Sequence, residues 1–414
     1  MAIRWLSGSR LSMQRLGFCK AVLAFSGLVR TPRQMADTLR ARLEEQMFPL
    51  LHDEALAMWL KGLDRGAESN PETQISLQKL YIYGHPSRTG WLSRLGFNEY
   101  VEYLPQRLGL VTGAYELTDM GLVLSQGLMS TEQREAFERP MTLNPLMLDR
   151  GEQVFFLYTL LAADGDFLLP LCEALLNRLG NSSFNYLDAG SLVPDTIGDI
   201  MDRFSSFVYA KSDREQLKRL ESTRQRITDE IDQKTEKLGS GSRREQTTIP
   251  RLEWLVDLGL TERVESRVWR FTETGLKLAQ LGGIYRDEMK RKYPENVMGA
   301  LLDSSFFEFV GRTYGETVLQ NVGKEQFLNF LWPAYRRLAG VGGYSLLRPS
   351  LLYANILSLL NQRGRFLEYG LAAKLLEETY QSDPSAVHYT IDRFNTDYQF
   401  RFERALSSDL GSDG

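Results

Sequence analysis

LGLVTGAYELTDMGLVLSQG at residues 108–127 and LGLTERVESRVWRFTETGLKLAQLG at residues 258–282 are the two stretches that decide the fold. Both begin with Leu-Gly-Leu, centred on Gly109 and Gly259, and continue through a few turn residues. Both then show an aromatic residue, any residue, an apolar residue and Thr, and after two further residues Gly-Leu-x-Leu. The two stretches resemble each other and nothing else in the chain.

Each stretch predicts the end of a helix, a β-hairpin and the start of a new helix. The central glycines suit the left-handed position at which many helices end. The alternating residues after them predict hairpins near Leu110–Leu117 and Leu260–Phe271. Thr118 and Thr272 stand where an N-cap belongs, ahead of an apolar helical pattern.

This order of helices, glycine cap, hairpin and last helix resembles the winged helix-turn-helix family. The resemblance covers residues 73–130 and 243–283, about a quarter of the chain, and is at the level of the fold. It implies a mostly α-helical protein with two such units and short β-hairpin wings. It also implies a docking mode in which the third helix enters the major groove of DNA and the wing lies against the backbone.

In the second unit, the resemblance directs attention to basic and hydroxyl side chains near the third helix and on the wing. Helix N-termini and arginines are suited to phosphate contacts, whereas Glu262 and Glu265 on the wing oppose the positive charge. The alternative is a solvated charged face on a winged helix that binds protein. The candidate DNA-binding residues are Arg243, Arg244, Thr247, Thr248, Arg251, Arg263, Arg267 and Arg270.

The first unit carries fewer groups suited to DNA. Its third helix shows Asn98, Glu99 and Glu102, and its wing, residues 112–116, has no basic residue. We therefore expect a protein–protein role for this unit, since winged helices are also common scaffold modules.

The remaining chain predicts helices. Apolar residues 149–179 predict a helical hairpin turning at Asp164–Gly165–Asp166, and residues 180–194 are loop-like. Residues 211–237 predict either a coiled coil or an exposed linking helix, and residues 384–400 predict a helix. The expected divisions are an N-terminal helical region (1–70), the first winged unit (71–130), a helical middle (131–238), the second winged unit (239–290), a helical C-terminal domain (291–406) and a disordered tail (407–414).

Composition limits the classes of function. The 414 residues carry a formal net charge of −4, so DNA contact would have to come from local patches. Two cysteines and three histidines, all far apart, disfavour a disulfide framework, a zinc site and a histidine-based triad. No phosphate-binding loop or nucleophile elbow occurs, and Asp164-Gly-Asp166 lacks the further ligands of a calcium loop. We therefore expect no catalytic residues, metal or cofactor.

The N-terminus allows two interpretations. Residues 1–36 are rich in arginine and contain no acid, which is typical of a transit peptide or of a basic amphipathic first helix. We favour the helix and a cytoplasmic protein without membrane association.

Two functions remain after these exclusions. The first is a non-catalytic subunit that binds double-stranded DNA in a bacterial multi-protein system, such as antiviral (phage) defence or DNA processing, alongside an ATPase, helicase or nuclease. The second is a scaffold whose winged helices bind protein partners, including a second copy of the chain. A transcription regulator is a further alternative.

Overall fold

The fold is taken from a computed structural model. It describes residues 3–6, 16–50, 103–135, 137, 146–210, 214–232, 243–265, 268–289, 294–314, 317–318, 322–340, 342–361, 365–392 and 397–403. Residues 73–102 of the first winged unit and the tail at residues 407–414 lie outside these ranges.

Helices dominate the described residues, as predicted, and the sheets are small. The N-terminal half contains α1 (Gly17–Phe25), α2 (Pro32–Leu50), α3 (Leu104–Arg107), α4 (Asp119–Leu122, continuing as a π-helical stretch Val123–Leu128), α5 (Thr131–Glu135), α6 (Arg150–Leu179), β1 (Phe184–Asn185), α7 (Tyr186–Ala210) and α8 (Arg214–Asp232). The middle contains α9 (Arg243–Asp257), β2 (Thr261–Glu265), β3 (Val268–Phe271), α10 (Glu273–Met289), α11 (Pro294–Ala300, continuing as a π-helical stretch Leu301–Ser305), α12 (Phe306–Tyr314) and β4 (Thr317–Val318). The C-terminal part contains α13 (Lys324–Leu338), β5 (Ser345–Leu346), α14 (Leu347–Leu360), β6 (Arg365–Phe366), α15 (Tyr369–Ser382), β7 (Val387–Asp392) and β8 (Asp397–Phe402).

Helix α6 is the centre of the molecule, packed against α7, α10 and α14. Asp149 caps it in a reciprocal arrangement, with its carboxylate accepting from the Glu152 N–H while Glu152 accepts from the Asp149 N–H. The predicted hairpin turn at Asp164–Asp166 is wrong, because α6 runs through it without a break. Both carboxylates are buried there, and their hydrogen-bond partners come from outside the helix.

By length and composition, α6 could also span a membrane, as the one such helix among the described residues. Most of its apolar stretch is buried inside the fold, as expected for the core helix of a globular protein.

Strand β1, which follows α6, and strands β2 and β3, which follow α9, form a three-stranded sheet in the order β1-β3-β2. The β2–β3 hairpin confirms the hairpin predicted near Leu260–Phe271. The interpretation of residues 180–194 as a loop is wrong, because Phe184 and Asn185 pair with β3 and α7 begins at Tyr186. The sheet therefore includes Phe184 and Asn185, which lie well before residue 239, the predicted start of the second winged unit. Only the long-range pairing of β1 with β3 reveals this.

A second three-stranded sheet, in the order β5-β8-β7, lies near the C-terminus. The helix predicted over residues 384–400 is wrong, because β7 and β8 form an antiparallel hairpin there. Val387, Phe400 and Phe402 are buried at alternating positions, and this period of two fits a strand with one face in the core.

The two repeated stretches share the glycine cap and the threonine N-cap, with matching hydrogen bonds. Gly109 and Gly259 have φ of 70° and 69°, as the cap predicted. Thr118 accepts from the Gly121 N–H and Thr272 from the Gly275 N–H, both at 3.1 Å, confirming the two N-caps. Each threonine hydroxyl also donates to the carbonyl of its glycine cap. In the first copy, the hairpin is reduced to one bridge between Val111 and Leu117.

Helix α1 differs from the basic amphipathic helix that we expected, because nearly all its residues are buried. Lys20 is fully buried, with Nζ 2.7 Å from the Glu152 carboxylate and 2.9 Å from the Met147 carbonyl oxygen. Burial raises the pKa of Glu152 to about 7, and the Lys20 charge opposes that rise.

Replacing Lys20 with Met should make stability strongly dependent on pH. Without the ammonium, the pKa of Glu152 rises further above its unfolded value. A carboxyl with a raised folded-state pKa stabilises the fold below its unfolded pKa and loses that contribution as pH rises through the folded one. We therefore expect Lys20→Met to lose stability progressively between about pH 5 and pH 8, more steeply than the unaltered protein.

Urea unfolding across this pH range measures the loss of stability. The control is Lys277→Met, which removes an exposed ion pair with Glu273. Parallel pH profiles for all three proteins would contradict the expectation.

Candidate interaction surface

Helix α9 occupies the position of the predicted DNA-reading helix, but it is enclosed by protein. All nine residues from Thr247 to Leu255 are buried. Helices α7 and α8 and strand β2 pack against α9, and the α6 carboxylate of Asp164 reaches it from another direction. An enclosed helix has no face to place in a DNA groove.

Arg251 lies at the centre of this enclosure. Its guanidinium donates two hydrogen bonds to Asp164, from Nε to Oδ2 at 2.6 Å and from Nη2 to Oδ1 at 2.8 Å. Neither side chain is exposed. Nη1 donates to the Thr247 carbonyl at 2.7 Å. The prediction that Arg251 contacts phosphate is therefore wrong, because its donors are directed at buried acceptors. Thr247 and Thr248, at 5% and 0% exposure, are corrected for the same reason.

The N-terminal segment, residues 3–6, covers Arg251. The Leu6 N–H donates to Asp164 at 2.8 Å, and the Leu6 carbonyl accepts from Arg251 at 3.1 Å. The Arg4 N–H donates to Asp166 at 2.7 Å. The ring of Trp5 meets Phe167 edge-on at 4.4 Å and lies 4.7 Å from the Arg251 guanidinium carbon.

Asp166 is a second buried acceptor at this place. Besides the Arg4 N–H, it receives the Tyr285 hydroxyl at 2.7 Å. Burial raises the pKa of Asp166, and the nearby Arg4 charge opposes the rise. The two acids of α6 thus serve as anchors for other parts of the chain. Sequence reasoning missed this role, although two acids inside a strongly apolar stretch were a visible signal of specific partners.

Two of the predicted basic residues of the wing, Arg263 and Arg270, pair with neighbouring acids. Arg263, 15% exposed, pairs with the buried Glu253, which also accepts from Trp269 Nε1 at 2.9 Å. Arg270 is half-exposed and pairs with Glu262, which accepts from its Nε at 2.8 Å. Arg267 lies outside the described residues, as do the side chains of Arg243 and Arg244.

Helix α15 of the C-terminal part carries one lysine and two glutamates. Lys374 lies 3.7 Å from Glu378, and Glu377 accepts the Tyr398 hydroxyl at 2.6 Å. This helix therefore offers no net positive charge to a phosphate backbone.

The described residues contain no group of three or more histidine, cysteine or acidic side chains that could hold a metal ion. Both cysteines are free and buried, and burial raises the pKa of the Cys172 thiol to about 12. A thiol held in this state is a poor nucleophile.

Comparison of the chain with protein-family models, with curated proteins and with solved structures found no match. What the chain does must therefore be inferred from its own surfaces.

Proposed function

We propose that this chain is a non-catalytic scaffold subunit built from winged-helix modules that bind protein partners. The order of elements supports the modules. In the middle one, α6, β1, α7, α9 and the β2–β3 hairpin follow each other, with strand order β1-β3-β2. This order is the one expected of a winged helix with α8 inserted between its second and third helices, and it supports the proposal.

The C-terminal part repeats the same order. Helix α13, strand β5, helices α14 and α15 and the β7–β8 hairpin form a module with strand order β5-β8-β7. The N-terminal part offers a reduced version of this module. Just after α1, the Gly27 N–H donates to the Tyr115 carbonyl at 3.3 Å, so the end of α1 is joined to the first repeated stretch. A chain of three modules thus offers more surfaces for partners than the two modules that the repeat suggests.

The modules pack against one another, which suits a rigid platform. In the π-helical stretch after α4, the Gly127 carbonyl accepts the Tyr353 hydroxyl of α14 at 3.1 Å. The neighbouring Gln126 carbonyl accepts from Arg337 of α13. These contacts join the first module to the third, and α6 packs on α14 to join the second to the third.

The observation that carries the proposal is the enclosure of α9. A winged helix that reads DNA leaves its third helix open to the groove, whereas here residues 247–255 are buried. Exposed wing and helix charges are largely paired, and the net charge is −4. A protein partner needs neither an open third helix nor a positive field. We place the subunit in the cytoplasm of a bacterial multi-protein system such as antiviral defence, beside an ATPase, helicase or nuclease.

Duplex binding measured across salt concentrations tests this proposal against the DNA-binding alternative. Each phosphate contact contributes about 0.9 to the slope of log affinity against log salt. We expect no measurable duplex binding at about 150 mM salt, and no change on replacing Arg243, Arg244 and Arg270 with Ala. Affinity in the micromolar range or tighter, with a slope that flattens by two to three contacts in that variant, would favour the DNA-binding subunit instead.

A further inference from the structure

We propose that Asp164, Asp166, Phe167 and Arg251 form a peptide-binding groove, and that residues 3–6 occupy it as an intramolecular ligand. The ligand class is an extended segment carrying a cation, an aromatic ring and an aliphatic side chain in succession, here Arg4, Trp5 and Leu6. This site is separate from the partner-binding surfaces proposed above, and its test does not depend on them.

The main-chain contacts are those of a peptide receptor. The N–H groups of Arg4 and Leu6, two residues apart, donate to Asp166 and Asp164 at 2.7 and 2.8 Å. The two N–H groups belong to alternate residues of the segment, and the two carboxylates that accept from them are separated by one residue on α6. Arg251 completes the set by donating to the Leu6 carbonyl.

The side-chain contacts supply selectivity. Trp5 packs against both Phe167 and the Arg251 guanidinium, with its ring centroid 4.4 Å from the Phe167 centroid and 4.7 Å from the guanidinium carbon. Leu6 is 2% exposed. The Arg4 guanidinium lies 3.9 Å from Asp166. Trp5 is partly buried in these contacts. Anchoring by one aromatic residue is typical of peptide recognition, in which few side chains carry most of the affinity.

The groove itself belongs to the middle module. Its residues come from α6 and α9, and the Tyr285 hydroxyl of α10 donates a hydrogen bond to Asp166. The carboxylates are fully buried, and removal of residues 3–6 would take one hydrogen bond from each of Asp164, Asp166 and Arg251. Such a site favours an occupant, and residues 3–6 supply these hydrogen bonds in the structure.

Cleaving the chain between residues 3–6 and the rest of the protein tests the inference. A protease site is placed within residues 8–14 of the full chain, the folded protein is cleaved, and a labelled peptide of residues 1–8 is added. We expect the cut segment to remain bound through size exclusion and to exchange with the labelled peptide in a saturable manner. A Trp5→Ala peptide should compete at least about tenfold more weakly, as should a scrambled peptide of equal charge.

Two results would overturn the inference. One is a cleaved protein that keeps its circular dichroism spectrum but neither retains its segment nor takes up the labelled peptide. The other is loss of fold on cleavage that excess peptide does not reverse. A chain that unfolds on cleavage and refolds with the peptide, but not with the Trp5→Ala peptide, supports it.

Discussion

Replacing Arg251 with Ala should lower the free energy of unfolding by about 3–5 kcal/mol, among the largest losses available to one side chain in this protein. The change leaves the Asp164 carboxylate buried without its two guanidinium hydrogen bonds. It also removes the donor to the Leu6 carbonyl and the cation beside Trp5. Urea unfolding, followed by circular dichroism, measures the loss.

Arg270→Ala is the matched control, because it also breaks an arginine–carboxylate pair. Both Arg270 and Glu262 are about half exposed, and solvent screens such pairs. We expect a loss of at most about 1 kcal/mol. A double replacement, Arg251→Met with Asp164→Leu, should recover much of the stability lost in Arg251→Ala, since no lone charge remains buried. Equal, small losses for Arg251→Ala and Arg270→Ala would show that Arg251 is not enclosed.

Gly275→Ala should destabilise the middle module by several kcal/mol, on the order of 3 or more. A Cβ at this position would lie 1.8 Å from the Leu260 carbonyl oxygen, which is rigid backbone at the start of the wing. The helix after the wing could fit only by moving away from it, which would break the Thr272 cap and the contact between the two ends of the repeat. Gly121 has the same relation to the Leu110 carbonyl oxygen, at 2.0 Å, so Gly121→Ala should behave alike.

Gly283→Ala is the control for this prediction, because it lies in the same helix, α10. The nearest atom to its added Cβ is a Glu173 carboxylate oxygen at 3.6 Å, an ordinary contact. Alanine favours a helix by up to about 1 kcal/mol over glycine, so the variant should be as stable as the original or slightly more stable. Thermal unfolding of the three glycine variants would distinguish them. Gly275→Ala melting at the same temperature as Gly283→Ala would contradict the close approach.

The enclosure of α9 changes what the wings can be used for. With its third helix buried, the middle module exposes its hairpin and the outer faces of its helices, and Arg263 and Arg270 of that hairpin pair with acids. A partner that binds such surfaces would rely on shape and apolar contact rather than on a positive field. This is the reason why we propose a protein partner, rather than a nucleic acid, for the middle module.

The sequence by itself determined the local structure of the repeat. Gly109 and Gly259 adopt positive φ, and Thr118 and Thr272 cap the following helices, because these features depend on residues only a few positions apart. The helical character of the chain followed from apolar periodicity for the same reason. The β2–β3 hairpin was equally accessible, since its two strands are neighbours in sequence.

Only the tertiary structure decided the fate of the charged residues. Arg251 has the sequence context of a surface arginine near a helix start, yet Asp164, 87 positions away, and Leu6, 245 positions away, enclose it. The same holds for Lys20 with Glu152, and for β1, which pairs with a strand more than 80 residues later. Burial depends on which distant segments pack over a side chain, and a charge is stable in the interior only when such a segment brings its partner. Local sequence carries the helix and the hairpin, while the packing of modules determines whether an arginine faces a phosphate or a buried carboxylate.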